Sequence, residues 1–200
     1  MPAKRLVRPR NAANTRQAIL RSARSAFARA GYDGAGVREI ANGAGVTAML
    51  VNRYFGSKEG LFAEVVAEIM ASPTILTKDT LASLSGNDIA AALVGITETD
   101  GAPLDGFKIM LRSASSERAA EIGREQIEKH YQRMLADALD GDFAPQRAAL
   151  MLALVAGFQA MRQMIGLSAL VDAEPALLIK ILGPVFQQLI EPVKRSGSQG

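Results

Sequence analysis

Apolar positions recur at three- and four-residue spacing along most of the chain, so the elements it predicts are helices and the fold class is all-α. Ile19, Ala23, Ala26, Phe27 and Ala30 form the buried stripe of a first helix over 14–30, with Asn14 as N-cap, Gln17 three residues on, and Gly31 ending it. Val37, Ile40, Ala41 and Ala44 mark a short second helix, closed by Gly43 and Gly45, where a left-handed residue costs glycine little. Thr47 is a good N-cap for a third helix reaching Phe55. Ser57 caps a fourth, in which Leu61, Phe62, Val65, Val66, Ile69 and Met70 repeat. Two short helices joined by a tight glycine turn, within a three-helix unit, are the layout of a helix-turn-helix.

The pattern weakens between Ser72 and Leu104, where Pro73, Gly86, Gly95, Gly101 and Pro103 punctuate it and a helix fits 87–98. A further helix runs from Pro103 to Ala114, and a long one opens at Ser116 and reaches Leu139 with Ile122, Ile127, Met134, Leu135 and Leu139 inward. The last two helices differ in kind. From Pro145 to Gly166 apolar residues go right round, and from Asp172 and Pro175 a broad stripe runs through Leu177, Leu178, Ile181, Leu182, Val185, Phe186, Leu189 and Ile190. Helices this apolar are buried on more than one side, which a monomer of 200 residues does not require.

Charge divides the chain. Up to Gly60 eleven Lys and Arg face only Asp33, Glu39 and Glu59, whereas the whole chain carries +3, so a basic N-terminal part precedes an acidic remainder. That asymmetry predicts a polyanion partner for the first part alone. Residues 1–13 read as a disordered basic arm, 14–71 as the helix-turn-helix domain, 72–193 as a larger helical domain and 194–200 as a flexible tail. Arg16, Arg21, Arg24 and Arg29 lie off the apolar stripe of the first helix and read as mainly solvated. There is no cysteine and one histidine, His130, and no paired-carboxylate or phosphate-loop motif, so no metal site, cofactor or enzyme is expected. No signal-peptide pattern opens the chain, and the longest apolar run, Ala148 to Phe158, is short of a bilayer span, so a cytoplasmic protein with no membrane partner is expected.

Turning the third helix by about 100° per residue puts Val46, Leu50, Val51, Tyr54 and Phe55 inward and Ala48, Met49, Asn52 and Arg53 outward. The stretch from Asn14 to Ile69, with IANGAGV, the pair Tyr54 and Phe55, and SKEGLF directly after, resembles the N-terminal DNA-binding domain of TetR-type transcriptional regulators. It departs from them at Ala35 and Gly36, where a capping Ser or Thr is common. The resemblance implies phosphate contacts from Thr47, Asn52, Arg53, Tyr54 and Lys58, and base-edge contacts from Arg38, Ala48 and Met49. Since Ala48 and Met49 offer only methyl contacts, Arg38 is left as the hydrogen-bonding reader. It further implies a repressor that pairs 145–166 and 173–191 with their copies in a homodimer, binds a near-palindromic duplex and is released by a small ligand. Phe107, Met110, Met134, Met151, Phe158, Met161 and Arg162 are the candidate lining of a largely apolar ligand pocket, because methionines re-pack round varied shapes. The alternatives are a non-inducible architectural DNA binder and a helical small-molecule carrier.

Overall fold

The computed structural model describes residues 9–71, 75, 85–98 and 105–192, all helix and connection, with no strand among them. They fall into two compact units, one holding 1–70 and 104–126, the other 71–103 and 127–200. The units do not follow chain order: the stretch 104–126, expected in the second domain, clusters with the first.

In the first unit, α1 (Pro9–Gly34) breaks at Gly31, whose φ of 69° and ψ of −177° are not helical. The expected stop is therefore correct in place, although a short turn continues beyond it. At its start α1 overturns an expectation. Residues 9–13 are helical, so Asn14 lies inside the helix and is not its N-cap, while residues 1–8 of the expected arm lie outside the described residues. Then come α2 (Val37–Gly43), α3 (Ala48–Phe55) and α4 (Lys58–Met70), followed after the second unit's first segment by α6 (Asp105–Ser113) and the first part of α7 (Glu117–Ile127). Phe27, Tyr32 and Phe62 make the aromatic centre, with Phe62 edge-on to Phe27 at 5.1 Å and to Tyr32 at 5.1 Å. Ile109, Ala119 and Ile122 of α6 and α7 belong to the same buried cluster as Ile19, Ile40 and Leu61. Two polar ties fix α6 to α1: Tyr32 N donates to Ser113 Oγ at 2.9 Å, and Arg112 Nη1 donates to the carbonyls of Ala28 and Arg29. Those carbonyls precede the break at Gly31, where the helical ladder no longer supplies donors.

The second unit contains α5 (Gly86–Glu98), the continuation of α7 as a π-helical segment (Glu128–Gln132) and a last α-helical turn (Arg133–Asp137), and α8 (Ala144–Gln159), which runs on through a second π segment (Ala160–Ile165). A short α9 (Ser168–Val171) and α10 (Pro175–Ile190) complete it, and α9 was not anticipated from the sequence. The single histidine, His130, lies in the first π segment. Gly86 and Gly183 allow α5 and α10 to cross closely: a methyl group on Gly86 would meet Gly183 O and the Gln187 backbone. Gly86 N donates to Gln187 Oε1 at 2.9 Å at the same crossing. Leu93, Leu135, Met151 and Phe186 are the fully buried centre.

The helix Ala144–Ile165 has 22 residues and an 18-residue window of mean hydropathy 1.4, so by length and composition it could cross a membrane. The expectation drawn from the eleven-residue run was too narrow. What argues for a protein-packed helix is its two arginines, both buried and both hydrogen-bonded within the unit through their terminal nitrogens. Arg147 donates to the carbonyls of Leu189, Ile190 and Glu191 at 3.3, 3.0 and 3.0 Å and to Asp140 O, holding the end of α10. Arg162 donates to Val94 O at 3.1 Å and Thr97 Oγ1 at 2.8 Å, faces Glu98 Oε1 at 3.6 Å and lies over the Phe158 ring at 5.8 Å. Arg162 therefore neither snorkels nor presents a free charge, because three groups of α5 already hold it.

Candidate nucleic-acid interface

The reading head is positioned by local chemistry that the sequence spells out. Gly36 caps α2 in extended conformation with no side-chain bond, as the Ala35–Gly36 departure implied. Thr47 Oγ1 accepts from Leu50 N at 3.3 Å, opening α3. Gly56, at φ 75°, turns the chain after Phe55, and Ser57 Oγ accepts from Gly60 N at 3.2 Å in the first turn of α4. Gly60 has no room for a side chain, since a methyl group there would meet the Phe55 carbonyl. The joint between α3 and α4 is thus tight as well as sharp. Val51 and Phe55 are buried and Val46 and Tyr54 half-buried against the same core, as the inward half of the wheel expects; Leu50 is half-buried, and Ala48, expected outward, packs against that core as well.

On the outward half, Asn52 and Arg53 are exposed, Ala48 is half-buried, and Met49 is 82% exposed, the largest exposure among the big apolar residues described. An apolar side chain so placed costs solvation unless something covers it. Thr47 and Arg38 are exposed, and neither Arg38 nor Arg53 has a partner among the described residues. Of the positions expected to meet bases and phosphates, Arg38, Thr47, Met49, Asn52 and Arg53 are thus exposed, and Ala48, Tyr54 and Lys58 half-buried, Lys58 with its charge already engaged. Its ammonium lies 4.6 Å from the centre of the Tyr32 ring and 3.5 Å from Asp33 O, turned toward the protein.

Along α1 several cations expected to be solvated are engaged. Arg16 pairs with Glu64 at 2.6 Å and lies 5.2 Å over the Phe55 ring, Arg24 pairs with Asp105 at 3.2 Å, and Arg29 pairs with Glu39. Sequence reasoning missed these pairs because their partners lie on other helices. Glu59 is held ionised below the usual carboxylate range, first by the Ser57 hydroxyl, then by its own backbone N–H and the Tyr32 hydroxyl. Tyr32 is pushed up to about 12 by burial and by that bond to Glu59.

The expected ligand-pocket residues are divided between the two units. Phe107 and Met110 belong to the first unit, where Met110 packs beside Gly123, and Met134, Met151, Phe158, Met161 and Arg162 to the second. Met151 and Phe158 are core, Met134 is half-buried and Met161 is 43% exposed. No group of three His, Cys, Asp or Glu able to hold a metal occurs among the described residues.

Fold and face together define a helix-turn-helix protein with a separate all-helical C-terminal unit. Residues 19–65 match the model of bacterial regulatory proteins of the tetR family, and 84–190 match the model of the tetracyclin repressor-like C-terminal domain. The chain belongs to the TetR family of transcriptional regulators. It is 32% identical over 125 residues to the HTH-type transcriptional regulatory protein RaaS of Mycobacterium tuberculosis, covering 60% of this chain and 56% of that protein. It is 42% identical over 55 residues to the HTH-type transcriptional repressor AcnR of Corynebacterium glutamicum, covering 28% of this chain and 29% of that one. The chain therefore spans about half the length, or less, of these curated relatives. A TetR-family regulator from Streptomyces coelicolor shares the fold with a TM-score of 0.55 at 23% identity, over 92% of this chain and 98% of that structure.

Proposed function

We propose that this chain is a homodimeric, DNA-binding transcriptional repressor that a small ligand releases from its operator in the cytoplasm. The observation that carries the DNA-binding half is the outward side of α3. Met49, Asn52 and Arg53 project from a helix fixed at both ends, within a segment whose first 60 residues hold eleven cations and three acids. In this reading α3 lies in the major groove, Met49 and Ala48 touch thymine methyls, Arg38 reads a guanine, and Thr47, Asn52, Arg53 and Tyr54 hold phosphates. Lys58 joins them only by leaving the Tyr32 ring, which a phosphate at the start of α4 would favour.

A second copy is the occupant that fits the exposed apolar stripes of α8 and α10. Leu150, Met161 and Ile165 on one and Leu177, Ile181 and Val185 on the other are each at least 42% exposed. Ala153 and Gly157 in the same stripe of α8 let a facing helix approach closely. Two reading heads would then address half-sites about 34 Å apart on a near-palindrome. Repression is supported by the naming of one relative as a repressor, and ligand release by the adaptable side chains Met134, Met151 and Phe158 within the second unit. Such release is a population shift, worth only the ligand's difference in affinity between DNA-competent and incompetent forms.

The test is selection of genomic fragments by the purified chain, followed by mobility shift on the selected duplex at several salt concentrations. Arg53→Ala should weaken binding to every sequence and reduce the slope of log affinity against log salt by about one. Unchanged affinity at moderate salt would refute the assignment of the reading face.

A further inference from the structure

Away from the reading face, α1 and α6 enclose a cleft of about 420 Å³ lined by Arg21, Arg24, Ser25, Ala28, Arg29, Asp105, Lys108 and Arg112. Its volume is within the range of small-molecule sites, about 300–1,000 Å³. Its charge is one-sided: five cationic side chains meet a single carboxylate. The structure neutralises only part of this. Arg24 Nε pairs with Asp105 at 3.2 Å, Arg29 pairs with Glu39, and Arg112 is spent on the carbonyls of Ala28 and Arg29. Arg21, Lys108 and the terminal nitrogens of Arg24 have no partner among the described residues. Holding like charges together in one concavity is unfavourable unless a counter-charge joins them.

Helix geometry decides which counter-charge. At about 100° per residue, Arg21, Arg24, Ser25 and Ala28 centre half a turn from Ile19, Ala23, Ala26 and Phe27. The latter stripe is the one that faces the rest of the head, since Phe27 meets Phe62 of α4 edge-to-face, and Ser22, at its edge, donates to Ile40 O of α2 at 2.8 Å. The cleft is therefore on the back of α1, turned from α2 and α4. On the function proposed above, a duplex meets α3, which packs against α2 and α4.

We propose that this cleft is a site for a small, phosphate-bearing anion, held by Arg21 and Arg24 from α1 and Lys108 from α6, with the Ser25 hydroxyl as a further donor. Two guanidinium groups offer planar forks to phosphate oxygens, and the lysine adds a point charge opposite them. Bound there, the anion bridges α1 to α6 beside the Arg112 tie, so it stiffens the attachment of the reading head to the helix that follows the first unit's gap in sequence.

The probe is inorganic pyrophosphate, titrated calorimetrically into the full chain at low salt, with a random-sequence duplex titrated in parallel. The expected result is saturable binding at one site per chain. Arg21→Gln with Lys108→Gln should weaken it at least tenfold, whereas affinity for the duplex should change less than threefold. Ser25→Glu, which adds a carboxylate to the cleft and removes no cation, should cause a similar loss, so one misfolded variant would not decide the matter. Absence of saturable binding, or binding unchanged in both variants, would overturn the proposal. So would a loss of duplex affinity in the double variant as large as in Arg53→Ala, which would assign these cations to the DNA backbone.

Discussion

Replacing Arg147 by methionine tests how the second unit holds its last helix. The guanidinium, 4% exposed, supplies donors to three successive carbonyls at the end of α10 and to Asp140 O. Each hydrogen bond from a charged donor is worth about 1.5–3 kcal/mol, and a cation at a helix C-terminus adds up to about 2. Against this stand the desolvation of the charge and a buried Nε with no partner, so the terms do not sum. A net loss of about 3 kcal/mol is the reasonable figure, and methionine nearly fills the volume while carrying no donor. For a chain of this length that is about 6–12 °C in melting temperature, followed by circular dichroism at 222 nm. Arg147→Lys, which keeps the charge but cannot span several carbonyls, should restore part of it. A melting temperature within about 2 °C of the parent in Arg147→Met would refute the view that this arginine closes α10.

Ile181→Glu, at a 58% exposed position, should leave the helices intact but raise the dimer dissociation constant more than a hundredfold in sedimentation equilibrium; an unchanged dimer would place the interface elsewhere. Gly60→Ala forces a methyl group against the Phe55 carbonyl and should cost about 1–3 kcal/mol of stability, with operator affinity falling in mobility shift because the joint below α3 moves. Arg38→Ala should relax base preference at one position per half-site, read by affinity across a set of single-base operator variants. Tyr32 holds its proton more tightly folded than unfolded, so its contribution is fully present below pH 10.0 and is lost as pH rises through about 12. In a phenolate absorbance titration, Tyr32→Phe should remove a late-ionising component and lessen the loss of stability across that window.

The reading head was legible because its signals are local. Thr47 caps α3 from three residues away, Gly31 breaks α1 and the alternation of faces on α3 needs only a helical wheel. What the sequence hid is long-range. The partners of Arg147 lie 42 to 44 residues on, so a residue near the start of an apolar helix gave no sign of its role at the end of another. Arg162 looked like the one free charge in an apolar helix, yet α5 satisfies it across 65 and 68 residues. The same limit hid that Phe107 and Met110 belong to the first unit, since composition cannot say that α6 folds back on α1. Lys58 was correctly placed at the start of α4, but a ring 26 positions earlier in the chain draws its ammonium aside.

The return of α6 and α7 to the first unit has a consequence for how the protein is made. The head is a discontinuous domain: Ile109, Ala119 and Ile122 finish a core begun by Ile19 and Phe27. During synthesis, at about 5–20 residues per second, the first 70 residues emerge with one side of α1 uncovered until the stretch to Gln126 has left the ribosome. Over that interval Leu93 and Val94, destined for the other unit, are already outside and equally uncovered. A nascent chain arrested between them should therefore be protease-sensitive in α1, and the head should acquire protection in one step when α7 appears.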